Sequence, residues 1–94
     1  MESAPEAAET FVTDDGRSLP VRVVVDGGDK GCGGGLLGLM VQALKTLRPG
    51  EIMEVRSTDL GVREDLPAWS RMTDHALLAA QQGELRNRYF VRKA

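Results

Sequence analysis

The sequence feature that most constrains the fold is a glycine-rich segment that joins a strand pattern to a helix pattern. Residues 21–25, Val-Arg-Val-Val-Val, are mostly β-branched and predict a buried strand that ends at Asp26. Residues 27–35 are mainly glycine and contain the single cysteine of the chain, Cys32. Apolar residues then recur at helical spacing over residues 36–47, and the Pro-Gly pair that follows is a helix stop signal. The chain therefore places its one thiol at the entrance of a helix.

Two further elements follow in the middle of the chain. Residues 51–57 alternate polar and apolar side chains, which predicts a strand with one buried face. Residues 63–72 predict a short helix with Pro67 in its early part, where proline is tolerated. The chain thus alternates strand and helix twice.

The C-terminal third predicts a hairpin. Residues 76–80 and 85–92 flank a turn at residues 82–84, although residues 76–80 alone also suit a helix. In the last strand, Tyr89 and Phe90 fall on opposite faces. One sheet with both helices on one face buries the apolar side of every element.

Chain length allows one domain at most, because the sequence has 94 residues. Residues 1–10 are polar, acidic and rich in alanine, which is typical of a disordered tail. Residues 11–20 contain an Asp-Asp-Gly turn signal and fit either a short hairpin arm or a plain loop. We therefore expect a disordered or loosely ordered tail over residues 1–20 and a folded domain over residues 21–94.

Composition argues against several classes of function. The net charge is −2 and aromatic residues make up 4% of the chain, so direct stacking on nucleic acid is poorly supported. Basic residues at 86–93 fit either a solvated strand face or a folded basic patch. No apolar run approaches the roughly 20 residues of a membrane span, and no signal peptide is evident. One cysteine rules out an internal disulfide, which favours a cytoplasmic location, and one cysteine with one histidine argues against a metal site.

Cys32 is the candidate catalytic residue because of its surroundings. The first turn of a helix has unpaired N–H groups and a positive dipole, so the pKa of a thiol there is expected to fall below about 8.5. Lys30 would add to this effect. The backbone N–H groups of Gly33, Gly34 and Gly35 can turn toward an anion such as a persulfide.

Two simpler interpretations of this segment stay open. A lone cysteine is often a small buried hydrophobe rather than a nucleophile. A glycine-rich loop before a helix is also typical of phosphate binding, but residues 31–35 lack the Lys-Ser/Thr ending and the full GxGxxG spacing.

Several ordered motifs resemble one known family. Asp26 lies six residues before Cys32, residues 49–51 are Pro-Gly-Glu, residues 65–69 are Asp-Leu-Pro-Ala-Trp, and residues 89–93 are Tyr-Phe-Val-Arg-Lys. In this order and at these distances the chain resembles the TusA-like (also called SirA-like) sulfurtransferases over nearly the whole predicted domain. The family opens its first helix with Cys-Pro-x-Pro, whereas Gly33 and Gly35 stand at the two proline positions here.

The resemblance implies an α+β fold, a two-layer βαβαββ sandwich with a four-stranded mixed sheet and two helices on one face. It also implies that Cys32 carries sulfur as a persulfide, without a metal or an organic cofactor. The implied partners are a sulfur donor, either a cysteine desulfurase or a rhodanese, and an acceptor protein. Members serve tRNA thiolation, sulfur oxidation or molybdenum-cofactor maturation. Because glycine costs roughly 1 kcal/mol per helical position, we expect the first helix of this divergent member to start only near Leu36.

Three polar residues are auxiliary candidates. Asp59 and Asp65 either act on a partner or cap the second helix. His75, the only histidine, is either a base near Cys32 or a structural residue after a turn. Trp69 is either core packing or a binding residue.

The sequence leaves two alternatives to a sulfurtransferase-type carrier. A non-catalytic interaction or regulatory module would keep the fold and not need Cys32. A redox-sensing thiol protein would form an intermolecular disulfide through Cys32. We expect a monomer in solution that makes no direct contact with nucleic acid or membrane.

Overall fold

The computed structural model describes residues 10–12, 15–83 and 85–94. Its strands are β1 (Thr10–Val12), β2 (Ser18–Asp26), β3 (Ile52–Ser57), β4 (Ala76–Gln82) and β5 (Asn87–Arg92), and its helices are α1 (Leu36–Leu44) and α2 (Val62–Thr73). A 3₁₀ turn, Cys32–Gly34, precedes α1. Within this part of the chain, no helix combines the length and the apolar character needed to cross a membrane.

The strands form one mixed sheet in the order β1-β2-β3-β5-β4. Only β2 and β3 run parallel, and the other neighbours are antiparallel. The predicted α+β class with two helices and a mixed sheet is confirmed. The predicted number of strands, four, is wrong, because Thr10–Val12 pairs with the first residues of β2. The pairing agrees with the hairpin arm, one of the two alternatives for residues 11–20, although three residues carry no alternation long enough to signal a strand. The first nine residues of the segment predicted as a tail lie outside the described part.

The sheet curls so that β1 lies over the face without helices. Phe11 of β1 and Phe90 of β5 stack with their ring centroids 4.8 Å apart. Two strands separate β1 from β5 in the sheet order, so a flat sheet would hold them about 14 Å apart. The curl buries a small apolar cluster of Phe11, Val21, Ile52 and Phe90 on this face.

The main core lies between the other face of the sheet and the two helices. The helices contribute Leu36, Met40 and Leu44 from α1 and Val62 and Leu66 from α2. The strands contribute Val25, Met53, Val55, Tyr89 and Val91. Tyr89 and Phe90 therefore point to opposite faces, as predicted from the alternation.

Strand β3 is buried on both faces, so the prediction of one buried face is wrong. Its Glu54 is fully buried on the face without helices and accepts hydrogen bonds from Arg56 Nε at 2.6 Å and Arg88 Nε at 2.8 Å. Burial alone would raise the pKa of Glu54, but its hydrogen bonds with Arg88 and Arg56 lower it below its ordinary value. The central position of β3 explains why a charged residue is enclosed there, since neighbours cover the strand on every side.

The C-terminal elements match the hairpin interpretation, and residues 76–80 belong to a strand rather than a helix. Helix α2 starts at Val62, so Pro67 lies in its interior rather than in its first turn. The helix ends at Asp74, which adopts a left-handed conformation with φ of 68°.

Candidate functional site

The loop between β2 and α1 presents Cys32 at one end of the domain. Gly31 is extended, Cys32–Gly34 form a 3₁₀ turn, and Gly35 takes a left-handed conformation with φ of 115°. Only then does α1 begin, at Leu36, as expected from the glycines at the family's proline positions. Cys32 is therefore separated from the α-helix by a turn of its own, and the helix dipole acts on it from a greater distance than predicted.

The carbonyl of Gly31 organises this turn. It accepts hydrogen bonds from Gly34 N–H at 2.9 Å and from Leu36 N–H at 3.2 Å. The N–H of Gly34 is thus already committed to the backbone. The anion-supporting role predicted for Gly33, Gly34 and Gly35 stays a prediction, and it falls mainly on the other two glycines.

The segment after β3 packs against the cysteine loop. Thr58 donates its N–H to Gly28 O at 2.8 Å, and its Oγ1 donates to the same oxygen at 3.1 Å. Because β2 and β3 are parallel, their carboxyl ends lie at the same edge of the sheet, and the residues that follow them meet there.

Asp59 also lies beside the cysteine loop. A Cβ atom placed on Gly31 would lie 2.6 Å from Asp59 Oδ2, so a side chain at position 31 would displace this carboxylate. Asp59 Oδ1 accepts the Gly61 N–H at 2.7 Å, which fixes the turn into α2. Asp65 follows in the first turn of α2, and its Oδ2 lies 3.9 Å from the position of a Cβ on Gly61. Both predicted auxiliary carboxylates therefore lie at the end of the domain that holds Cys32, which we call the thiol end (Cys32, Asp59 and Asp65).

The thiol of Cys32 is half-buried and makes no disulfide. Burial raises its pKa, and the negative charges of Asp65 and Asp59 raise it further. The expected lowering of the pKa is wrong. The 3₁₀ turn weakens the dipole effect, and the two carboxylates come from segments whose proximity the local sequence does not show. Lys30 is exposed, and its side chain lies beside Gly35, since a Cβ atom built on Gly35 would lie 3.8 Å from Lys30 Cδ.

Tyr89 is a neighbour of the site that the sequence analysis placed only on a strand face. It is fully buried, and its hydroxyl has no hydrogen-bond partner in the described part of the chain. Burial raises its pKa, Asn87 and the positive charge of Arg63 act in the opposite direction, and Asp59 and Cys32 raise it further. Only the register of β5 against β3 brings this hydroxyl toward the thiol end, so no motif could have indicated it.

His75 lies at the opposite end of the domain. His75 follows the C-terminus of α2, whereas the thiol end lies at the N-terminus of the same helix. The helix is about 18 Å long, and this length separates the two ends. His75 Nδ1 accepts the Ala94 N–H at 3.0 Å, and its ring stacks on Trp69 with centroids 5.6 Å apart. The structure therefore does not bring His75 to Cys32, and the interpretation as a base acting on this thiol has no geometric support.

The end around His75 also holds the C-terminus of α1. Lys93 Nζ donates to Leu44 O at 2.8 Å and to Leu47 O at 2.7 Å, so a side chain after β5 caps this helix. A cavity of about 260 Å³ opens there, lined by Val41, Leu44, Lys45, Trp69, Thr73, His75 and Lys93. We call this region the capped end (Leu44, Leu47, His75 and Lys93).

Metal ligands are not clustered in the part of the chain that the structure describes. No group of three or more His, Cys, Asp or Glu side chains there could hold a metal ion.

Comparisons with known proteins identify similar chains. Residues 39–93 match the family model described as "Sulfurtransferase TusA". The matched residues begin at Leu39, so Cys32 and its glycines precede them. A protein of Archaeoglobus fulgidus named "Putative sulfur carrier protein" is 35% identical over 71 residues, covering 76% of this chain and 96% of the relative.

Two relatives from Bacillus subtilis match shorter stretches. "Putative sulfur carrier protein YrkF" is 41% identical over 51 residues, covering 53% of this chain and 27% of YrkF. "Putative sulfur carrier protein YrkI" is 46% identical over 37 residues, covering 39% of this chain and 49% of YrkI. The match thus spans about a quarter of YrkF and half of YrkI, but nearly the whole archaeal relative.

Proposed function

Because the chain belongs to the TusA sulfurtransferase family, we propose that it is a sulfur carrier that holds sulfur as a persulfide on Cys32 and relays it to a partner protein. The observation that carries the proposal is the position of this thiol. Cys32 is free and half-buried, and exposed glycines follow it at an open end of the domain. The names of the relatives support the carrier role, and the persulfide and the relay are our own extension.

The proposed chemistry needs only thiols and sulfane sulfur. In loading, the Cys32 thiolate attacks the outer sulfur of a donor persulfide, the donor S–S bond breaks, and the donor leaves as a thiolate. In discharge, an acceptor thiolate attacks the outer sulfur on Cys32, and Cys32 returns to the thiolate. Each step exchanges one S–S bond for another, so no outside oxidant or reductant is consumed.

Residues 32–35, Cys-Gly-Gly-Gly, stand where the family has Cys-Pro-x-Pro, and we propose that they serve the same sulfur-carrying role. Gly33 and Gly34 are exposed, which leaves the sulfur accessible to a partner thiol. Lys30 supplies positive charge on the same loop. The donor is a cysteine desulfurase or a rhodanese and the acceptor is a protein thiol, in a pathway such as tRNA thiolation. The predicted cytoplasmic location and monomeric state are part of this proposal.

The experiment is intact mass spectrometry after incubation with a cysteine desulfurase and cysteine, or with a rhodanese and thiosulfate. Wild type is expected to gain one or more sulfur masses that dithiothreitol removes. Cys32→Ala is expected to gain none. Asp74→Asn, at the other end of α2, is the matched control and is expected to load like wild type.

The same experiment separates the alternatives. No sulfur gain from either donor, with a thiol that still alkylates, would reject the carrier role in favour of an interaction module. A dimer that forms under peroxide and dissociates with dithiothreitol, in place of sulfur gain, would favour a redox-sensing thiol.

A further inference from the structure

The surface around Cys32 combines uncovered negative charge with exposed leucines. No ion pair joins Asp59 or Asp65 to a cation in the described ranges, although other acidic residues of the chain, such as Asp26 with Arg86, have such partners. Leu60, next to Asp59, is 75% exposed. The thiol end therefore presents two carboxylates that lack an ion pair in the described ranges and an exposed leucine, while Lys30 on the cysteine loop and Arg86 are its basic neighbours.

A groove lies beside these carboxylates. It has a volume of about 140 Å³, and its lining residues include Leu60, Leu85 and Arg86. Leu85 is 88% exposed, and Leu60 and Leu85 are among the most exposed large apolar side chains of the described residues. Two such leucines in one groove form an exposed apolar surface that a partner can cover.

Building on the carrier role proposed above, we propose that the protein that exchanges sulfur with Cys32 docks here with a basic side chain on Asp59 and Asp65 and an apolar side chain between Leu60 and Leu85. The occupant is a protein surface that carries lysine or arginine beside its own reactive cysteine. Charge complementarity selects this chemistry, because an acidic partner would meet two carboxylates that form no ion pair with any of the described residues.

Docking of a cation would also activate the thiol. Burial and the charges of Asp65 and Asp59 keep Cys32 largely protonated through a raised pKa. The charges that act on it are those of these two carboxylates, the Tyr89 hydroxyl from β5 also interacts with it, and Lys30 lies on its own loop. A partner cation would offset the carboxylates and increase the thiolate fraction, so the nucleophile would form mainly in the complex.

The test uses short peptides in which a cysteine is joined to pyridine-2-thiol by a disulfide. The Cys32 thiolate attacks the peptide sulfur, and pyridine-2-thione leaves and is followed by absorbance. The probes are Arg-Cys-Leu, Glu-Cys-Leu and Arg-Cys-Ser, with wild-type protein at low ionic strength. Arg-Cys-Leu is expected to react about tenfold faster than Glu-Cys-Leu, since the two carboxylates attract the arginine and repel the glutamate.

The variants assign the preference to residues. Asp59→Asn with Asp65→Asn keeps the side-chain shapes and is expected to reduce the charge preference to about twofold or less. Leu60→Ser with Leu85→Ser is expected to remove the preference for Arg-Cys-Leu over Arg-Cys-Ser, with the charge preference intact. The control Asp74→Asn removes a carboxylate at the other end of α2, where asparagine also tolerates the left-handed backbone, and is expected to change neither preference.

Two results would overturn the inference. Equal rates for the arginine and glutamate peptides would do so, and so would a full charge preference in the double asparagine variant. The sulfur-loading experiment is independent. Sulfur gain without a charge preference would reject the proposed docking surface but not the carrier role. A charge preference without sulfur gain from any donor would reject the carrier role but not the preference of this surface for a basic peptide.

Discussion

The two ends of the helix layer differ in how their polar groups are satisfied. At the capped end, Lys93 bonds two carbonyls at the C-terminus of α1, and His75 bonds the backbone of Ala94. At the thiol end, α1 starts without any side-chain cap, and Asp65 has no ion pair in the described part of the chain. The capped end thus holds the fold together, and the charge of the thiol end, which has no ion pair among the described residues, agrees with the proposal that a partner docks there.

The largest effect on stability is expected from Glu54, which lies in the central strand β3. Glu54→Gln removes a buried charge between Arg56 and Arg88 and is expected to lower the free energy of unfolding by about 3 kcal/mol. Chemical denaturation measures this change. The control Asp26→Asn affects an exposed pair with Arg86 and is expected to cost less than about 1 kcal/mol.

The pH dependence of this effect has a definite sign. The pKa of Glu54 is lower in the folded protein than in the unfolded chain, so its stabilisation is present above about pH 4.3 and is lost as the pH falls through the folded pKa. The difference in unfolding free energy between wild type and Glu54→Gln should therefore shrink on acidification. A difference that stays constant down to low pH would contradict the role of the carboxylate charge.

A smaller effect is expected at the capped end. Lys93→Met keeps the aliphatic chain but removes two hydrogen bonds to the end of α1, and is expected to cost about 1–2 kcal/mol of unfolding free energy. Lys45→Met, an exposed neighbour in the same cavity, is the control and is expected to change stability by less than about 0.5 kcal/mol. Cys32 alkylation rates should be unchanged in both, and a changed rate would show that the two ends are coupled.

The smallest stability effect is expected at the thiol end, where the readout is the thiol pKa. Asp65→Asn and Asp59→Asn each remove a negative charge that raises the pKa of Cys32, so the pH profile of alkylation should shift to lower pH. The shift should be larger for Asp65→Asn, because Asp65 raises the pKa of Cys32 more than Asp59 does. An unchanged profile in both variants would leave burial as the sole cause of the raised pKa.

Local patterns predicted most of the fold. The hairpin, the opposite faces of Tyr89 and Phe90, and the start of α1 at Leu36 all depend on alternation, turn residues or glycine, which act over a few neighbouring positions. The family and the candidate thiol also followed from motifs in the chain. For strand β1 the sequence left a hairpin arm and a loop as equal alternatives, because three residues carry no period and Phe11 is held by Phe90, far along the sequence.

The sequence by itself determined the order of the elements, the single thiol and the glycines that delay α1, since these are properties of adjacent residues. Tertiary structure alone decided the environment of that thiol. Asp59 and Asp65 reach it from the segments after β3, and His75 is carried to the opposite end by α2. A local dipole argument predicted a lowered pKa for Cys32, but burial and charge depend on every group that folding brings near, and these raise it.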